Sequence, residues 1–496
     1  MSPRTASPRL ALLLVAIGTA FAASRPPLAG LAGSARSAPP EFAADALLRI
    51  ASSATAPAWK RTLIEDAFQL AASAQEPFAR RNWSPSESFP VDIAYAQGLD
   101  TCTLQCRAVH AMLALDRKKA RELFAAIPPP RLPRLTCEDT LVPDVSILYA
   151  TAAEIAAQSF TPQEAARDEP LHFLQRYAAD LASPLQAAPV ARMLAASPLP
   201  SAPFEALVAS FAASLKQLSG DDRSFSATIA ADTDSAAIEA VAAECARKQI
   251  SALPLLEAWR AYLVRHLGGS RCADTSGNGP AVSGGLATSG PPPNLSFAGS
   301  QGAVRFFNDR MLAAGLQPIS PDEARPSQTG GKAVPAAPCD SPQCRQIASQ
   351  LAGLLLGPNG IAYKPEEQAG AEWGGKLLQY LAALADWRDD DNPAELFQWK
   401  SRLYSDLFNT APAGPQRDLI LSALLTFLQQ NSYQRDHRLE WFYPVNALII
   451  RAFADPLGMK TTMRDLHDST DPVIALYASL EQALPRPLDA TIGFLH

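Results

Sequence analysis

The chain predicts an all-α fold, built of antiparallel helical hairpins stacked as an irregular α-solenoid or as two helical lobes. Three observations carry this expectation. Four times a capping residue is followed by proline at the first helical position and by Glu or Gln at the third: Thr161-Pro162-Gln163-Glu164, Ser183-Pro184-Leu185-Gln186, Ser320-Pro321-Asp322-Glu323 and Asn392-Pro393-Ala394-Glu395. At each, the cap side chain can accept from an orphan backbone N–H, proline lacks a donor that had no partner anyway, and the third residue reaches back. Between such marks apolar residues recur at helical intervals. In residues 415–430, Ile420, Leu421, Leu424, Leu425 and Leu428 share a face, while Gln416, Arg417 and Gln429 fall elsewhere. Finally, alternating runs bounded by Asn-Gly or Asp-Gly turns, the mark of hairpin strands, are essentially missing.

Taken in order, residues 1–22 read as a secretory signal peptide: Arg4 and Arg9, an apolar run from Leu10 to Ile17, then Ala20-Phe21-Ala22 as the cleavage site. The run is too short to span a bilayer, which needs about 20 residues. The first cysteine is Cys102, so no lipid anchor follows the cleavage point. Residues 23–40, rich in Pro, Ala, Ser and Gly, read as a disordered lead-in. Helical stretches near 41–53, 58–74, 101–127, 138–158, 201–218, 234–248 and 253–268 form an N-terminal lobe, 41–268. Residues 269–300, with Gly284-Gly285 and Pro291-Pro292-Pro293, read as a flexible linker, and a shorter such stretch runs from Pro326 to Pro338. Stretches near 302–314, 343–356, 368–386, 415–430, 437–454 and 472–484 form a C-terminal lobe, 301–490.

One hairpin invites comparison with a known repeat. Residues 104–127 read as two short helices, and Ala108, Ala120, Phe124 and the Pro128-Pro129-Pro130 tail resemble a tetratricopeptide unit. Arg107 and Ala111 stand where that family places a large apolar and an aromatic residue, and no second copy follows at a period of about 34. The resemblance implies stacked hairpins and a concave surface for a protein or peptide partner.

Composition narrows the function classes. The formal charge is −6, and loss of Arg4 and Arg9 with the signal takes it to −8. The basic residues are scattered, with no run longer than Arg117-Lys118-Lys119, which argues against nucleic acid and against an anionic membrane surface. No later segment is long and apolar enough for a transmembrane helix. The seven cysteines are Cys102, Cys106, Cys137, Cys245, Cys272, Cys339 and Cys344. In an oxidising compartment some should pair, with at least one thiol left free or paired between molecules, and the favoured pairs are Cys339 with Cys344 and Cys137 with Cys102 or Cys106. Zinc-site spacing and Cys-x-x-Cys are both missing, so neither a metal nor a cofactor is expected.

Catalytic motifs are near misses. Gly370-Ala371-Glu372-Trp373-Gly374-Gly375-Lys376 has phosphate-loop spacing, but Leu377 follows where Ser or Thr must hold magnesium. Gly374 and Gly375 are better expected at a close helix crossing. Asp274, Ser276, Asn278 and Gly279 begin like a calcium loop, yet position 12 is Gly285 rather than a bidentate carboxylate. The densest polar patch joins His437, Arg438, Glu440, Trp441, Phe442, Tyr443 and Asn446. His437 and Glu440 stand one helical turn apart, as in some zinc peptidases, with His467 as the third candidate. Arg438, Trp441, Phe442, Tyr443 and Asn446 could line a peptide groove or pack in a core. The leading expectation is therefore an exported protein- or peptide-binding scaffold of the cell envelope. A hydrolase working around His437 and Glu440 is the alternative.

Overall fold

The computed structural model describes residues 28–82, 94–139, 141–230, 233–273, 308–309, 311–320, 322–323, 328–332, 342–356, 363, 368, 370–388, 393–411, 414–431, 438–454 and 459–486. The expected signal peptide, most of the expected linker, Cys339, Asn392 and His437 lie outside the described residues.

The chain is all-α. Part of the expected lead-in is helical: α1 (Leu28–Ala35) buries Leu31, Ala32 and Ala35, which share one helical face. α2 (Pro40–Ser53) and α3 (Pro57–Ala71) each open on proline, where a missing N–H breaks no helical bond. After β1 (Ala79–Asn82), α4 (Thr101–Leu113) and α5 (Arg117–Ala126) are capped by Asp100 and Asp116, which accept from Thr103 N at 2.9 Å and Lys119 N at 3.0 Å. The expected helix at 138–158 is shorter. β2 (Leu141–Asp144) takes its first part, and α6 (Ser146–Gln158) the rest. Pro143 disfavours helical backbone at Val142, and Asp144 Oδ1 takes the Ser146 N–H at 2.9 Å.

There follow α7 (Pro162–Ala165), α8 (Glu169–Ala178), a 3₁₀ turn (Pro184–Gln186), α9 (Ala187–Ala195), α10 (Ser201–Gln217), α11 (Asp222–Ala230), α12 (Thr233–Arg247) and α13 (Leu253–Leu267). The Thr161 capping box forms as spaced: Thr161 N donates to Glu164 Oε2 at 2.7 Å, and Glu164 N to Thr161 Oγ1 at 3.3 Å. The Ser183 box closes over the 3₁₀ turn, and Ser320 and Glu323 exchange the same two bonds at 2.9 and 3.2 Å. Gly220 lies against that turn so closely that a Cβ would stand 2.3 Å from Pro184 Cδ. β3 (Ser270–Ala273) and β4 (Gln328–Lys332) then pair in parallel, while β1 and β2 pair antiparallel with Ala79 opposite Asp144. These short strands leave the all-α class unchanged. Each has four or five residues, too few for an alternating pattern to register.

The C-terminal half comprises α14 (Pro342–Leu355), α15 (Ala371–Asp386), α16 (Pro393–Thr410), α17 (Pro415–Gln430), α18 (Arg438–Ala454), α19 (Lys460–His467) and α20 (Pro472–Ala483). Gly374 and Gly375 sit inside α15 with nothing within 4 Å of an added Cβ, so they mark no close crossing. Gly375→Ala is therefore expected to stabilise the chain by about 0.5–1 kcal/mol, read as a higher urea midpoint.

The two halves share one core. A single buried apolar cluster runs from Leu31 to Ala483, and α20 packs against both α1 and α2. The boundary expected near residues 269–300 thus coincides with no break in the core.

Cys137 pairs differently from the expectation. Cys137 bonds Cys272, 135 residues away, which ties the loop before β2 to β3. Cys102 and Cys106 are instead buried thiols on α4, turned into the core, and Cys245 is also a buried free thiol. A hydrogen bond with Cys106, and then burial, push the Cys102 thiol well above its ordinary range, so it is a poor nucleophile. Cys344 is disulfide-bonded. The expected Cys339–Cys344 pair involves a cysteine outside the described residues.

Asp100 supplies a pH-dependent test. It is fully buried, and desolvation lifts its carboxyl to about 6. Between about pH 4 and 6 the folded chain then holds a proton that the unfolded chain releases, so this group lowers stability as pH rises through that window. Asp100→Asn keeps the capping acceptor without the charge. It is expected to remove this slope and add about 1–3 kcal/mol at pH 7, measured by urea unfolding at pH 4 and pH 7.

Candidate functional site

The described residues of the predicted polar patch fall at the seam between the two halves, where α2 meets α18 and α20. Helical spacing puts Glu41, Asp45 and Arg49 one turn apart along α2, with Phe42 beside them. Phe42 is 1% exposed and lies among three rings of the other half: Phe442 at 4.7 Å, Tyr477 at 6.2 Å and Trp441 at 6.5 Å between centroids. Trp441 Nε1 donates to the Leu428 carbonyl at 2.9 Å, so its polar edge is satisfied inside the core. Tyr443 is buried on the same helix. The aromatic residues proposed for a groove are thus packing residues.

Around these rings runs a polar network. Arg107 donates to Asp45 Oδ1 at 2.7 Å, and the Tyr477 hydroxyl donates to Asp45 Oδ2 at 2.8 Å. Burial opposes the charged form of Asp45, but Arg107 and Arg49 outweigh it and hold the carboxyl below its ordinary range. Arg438 pairs with Glu41 at 3.0 Å, and Arg49 with Glu481 at 2.9 Å. Glu481 also takes Arg486 at 2.8 Å, whose other nitrogen donates to Asn446 Oδ1 at 2.7 Å. Tyr95 donates to Glu440 Oε1 at 3.2 Å, and Gln398 to Glu440 Oε2 at 3.1 Å. Burial, then the Glu440 charge, drive the Tyr95 phenol upward, so it stays protonated as a donor.

The expected catalytic group is only partly assembled. His437 lies outside the described residues. His467, at the end of α19, meets Gln482 Oε1 at 2.5 Å and Ser479 Oγ at 3.4 Å, with the Phe453 ring 6.3 Å away. Among the described residues, the Glu440 partners Tyr95 and Gln398 differ from the His467 partners Gln482 and Ser479. Among the described residues no group of three His, Cys, Asp or Glu side chains is placed to hold a metal ion, and no helix is long and apolar enough to cross a membrane.

A cleft opens on this seam, lined by Glu41, Gln75, Glu76, Tyr95 and Leu99 from the first half and by Arg438 and Leu439 from the second. Its free space, about 10 Å³ for the centre of a water-sized sphere, admits one small group. A second, more apolar cleft lies between Phe408, Leu421, Leu424 and Pro444, with Arg451 at its edge. The sequence pointed to Arg438 and Glu440 but missed Glu41, Asp45, Tyr95, Arg107, Tyr477 and Glu481. The one available signal was Glu41, Asp45 and Arg49 recurring every four residues beside Phe42 and Leu47, a charged row on a helix that reads as buried.

Comparison with family models, with curated proteins and with solved structures finds no match.

Proposed function

We propose that the chain is an exported helical scaffold that binds a protein partner at the seam of its two halves. The observation that carries this reading is the size and lining of the seam cleft. Substrate pockets commonly enclose about 300–1,000 Å³. This one takes a single water-sized group, yet two carboxylates, Glu41 and Glu76, line it. Such a depression suits one side chain of a docked partner. The Cys137–Cys272 bond supports export, because such bonds persist in oxidising compartments. The hydrolase alternative turns on His437 beside Glu440, and His437 lies outside the described residues; Glu440 is engaged by Tyr95 and Gln398.

The test is photo-crosslinking in the native cell from a photoreactive residue placed at Gln75, on the cleft rim, with exposed Lys118 as control. One discrete adduct from position 75 and none from 118 is the expected result. Identical patterns from both positions would overturn the reading.

A further inference from the structure

We infer that the seam cleft receives the ammonium group of a lysine side chain presented by a protein partner, an inference that rests on the scaffold reading and names its chemistry. Glu41 is 2% exposed, and while one of its oxygens pairs with Arg438 at 3.0 Å, its Oε2 is buried with no hydrogen-bond partner. A carboxylate oxygen left so is costly unless a donor reaches it. The cleft supplies two further acceptors. Glu76 lines it, with its own Arg80 partner on a more exposed side chain, and Tyr95 donates its only proton to Glu440 and so faces other groups with oxygen lone pairs.

Three acceptors around a water-sized space match an ammonium, which has three donors, no acceptor and about the size of water. A guanidinium is too broad for that space. Of the remaining lining, Gln75 stands at the rim and the Arg438 charge is paired with the other oxygen of Glu41. Leu99 and Leu439 form apolar walls that a lysine's four-carbon stem can cover as its charged head reaches inward. Those same apolar walls give a small inorganic cation no ligand beyond the three acceptors, fewer than the six or more oxygens a hard cation gathers. The chain's formal charge of −6 also favours a basic partner.

The experiment measures thermal melting of the full chain against Nα-acetyl-lysine amide, with Nα-acetyl-norleucine amide and potassium chloride as parallel probes. Glu41→Gln removes the Arg438 pair and threatens folding, so Glu76→Gln is the working variant, checked for an unchanged melt without probe. A saturable rise in Tm with the lysine amide alone, weakened about tenfold in affinity by E76Q, is the expected outcome. An equal rise with norleucine amide or potassium chloride, or an undiminished one in E76Q, overturns the inference. A position-75 adduct without a lysine response leaves the scaffold reading standing and removes only the lysine. A lysine response without a position-75 adduct leaves only a cleft that takes an alkylammonium group and overturns the protein partner in both readings.

Discussion

Phe42→Ala is expected to lower the unfolding free energy by about 3–5 kcal/mol and to loosen both halves together. The ring is buried in α2 but its closest aromatic neighbours, Phe442, Tyr477 and Trp441, all belong to the other half. Truncation removes the transfer term of a large ring and leaves a cavity that helices from both ends of the chain must collapse to fill. Three edge or tilted ring contacts go with it, each adding about 0.5–1.5 kcal/mol at such sites. Urea unfolding followed by tryptophan fluorescence and by circular dichroism checks this. Coincident transitions at a lower midpoint are expected, since one core spans both halves. Two separated transitions in the parent chain would contradict a shared core.

Asp45→Ala is expected to cost about 3–5 kcal/mol at neutral pH, because it strands the Arg107 guanidinium and the Tyr477 hydroxyl without their buried acceptor. The loss should depend on pH with a definite sign. The folded-state pKa of Asp45 is held below its unfolded value, so the group stabilises fully above about pH 4, and this contribution fades as pH falls through the folded value. The gap in stability between parent and variant therefore narrows on acidification below about pH 4. A gap that stays constant down to pH 2 would show that Asp45 acts by shape rather than charge.

The seam also explains why the polar patch read ambiguously. Trp441 and Phe442 carry the same helical spacing whether they face a partner or a core, and the rings that meet them come from Phe42 and Tyr477. Phe42 lies about 400 residues away in sequence, and no local pattern records a contact at that separation. The Glu41–Arg438 pair is equally distant. Cys137 illustrates the same limit: Cys102 is nearer in the chain, but α4 turns it inward, and the bond goes to Cys272.

What the sequence determined by itself is local. Apolar spacing in residues 415–430 sets α17 from Pro415 to Gln430, and the Thr161 box closes with both of its bonds, because such choices involve groups three or four residues apart. The all-α class follows from many such choices agreeing. Tertiary structure alone decided the short strands, the disulfide partner of Cys137, and the closure of α20 onto α1 and α2. In each of these, distant segments are stabilised only by one another, through burial and pairing that neither possesses alone.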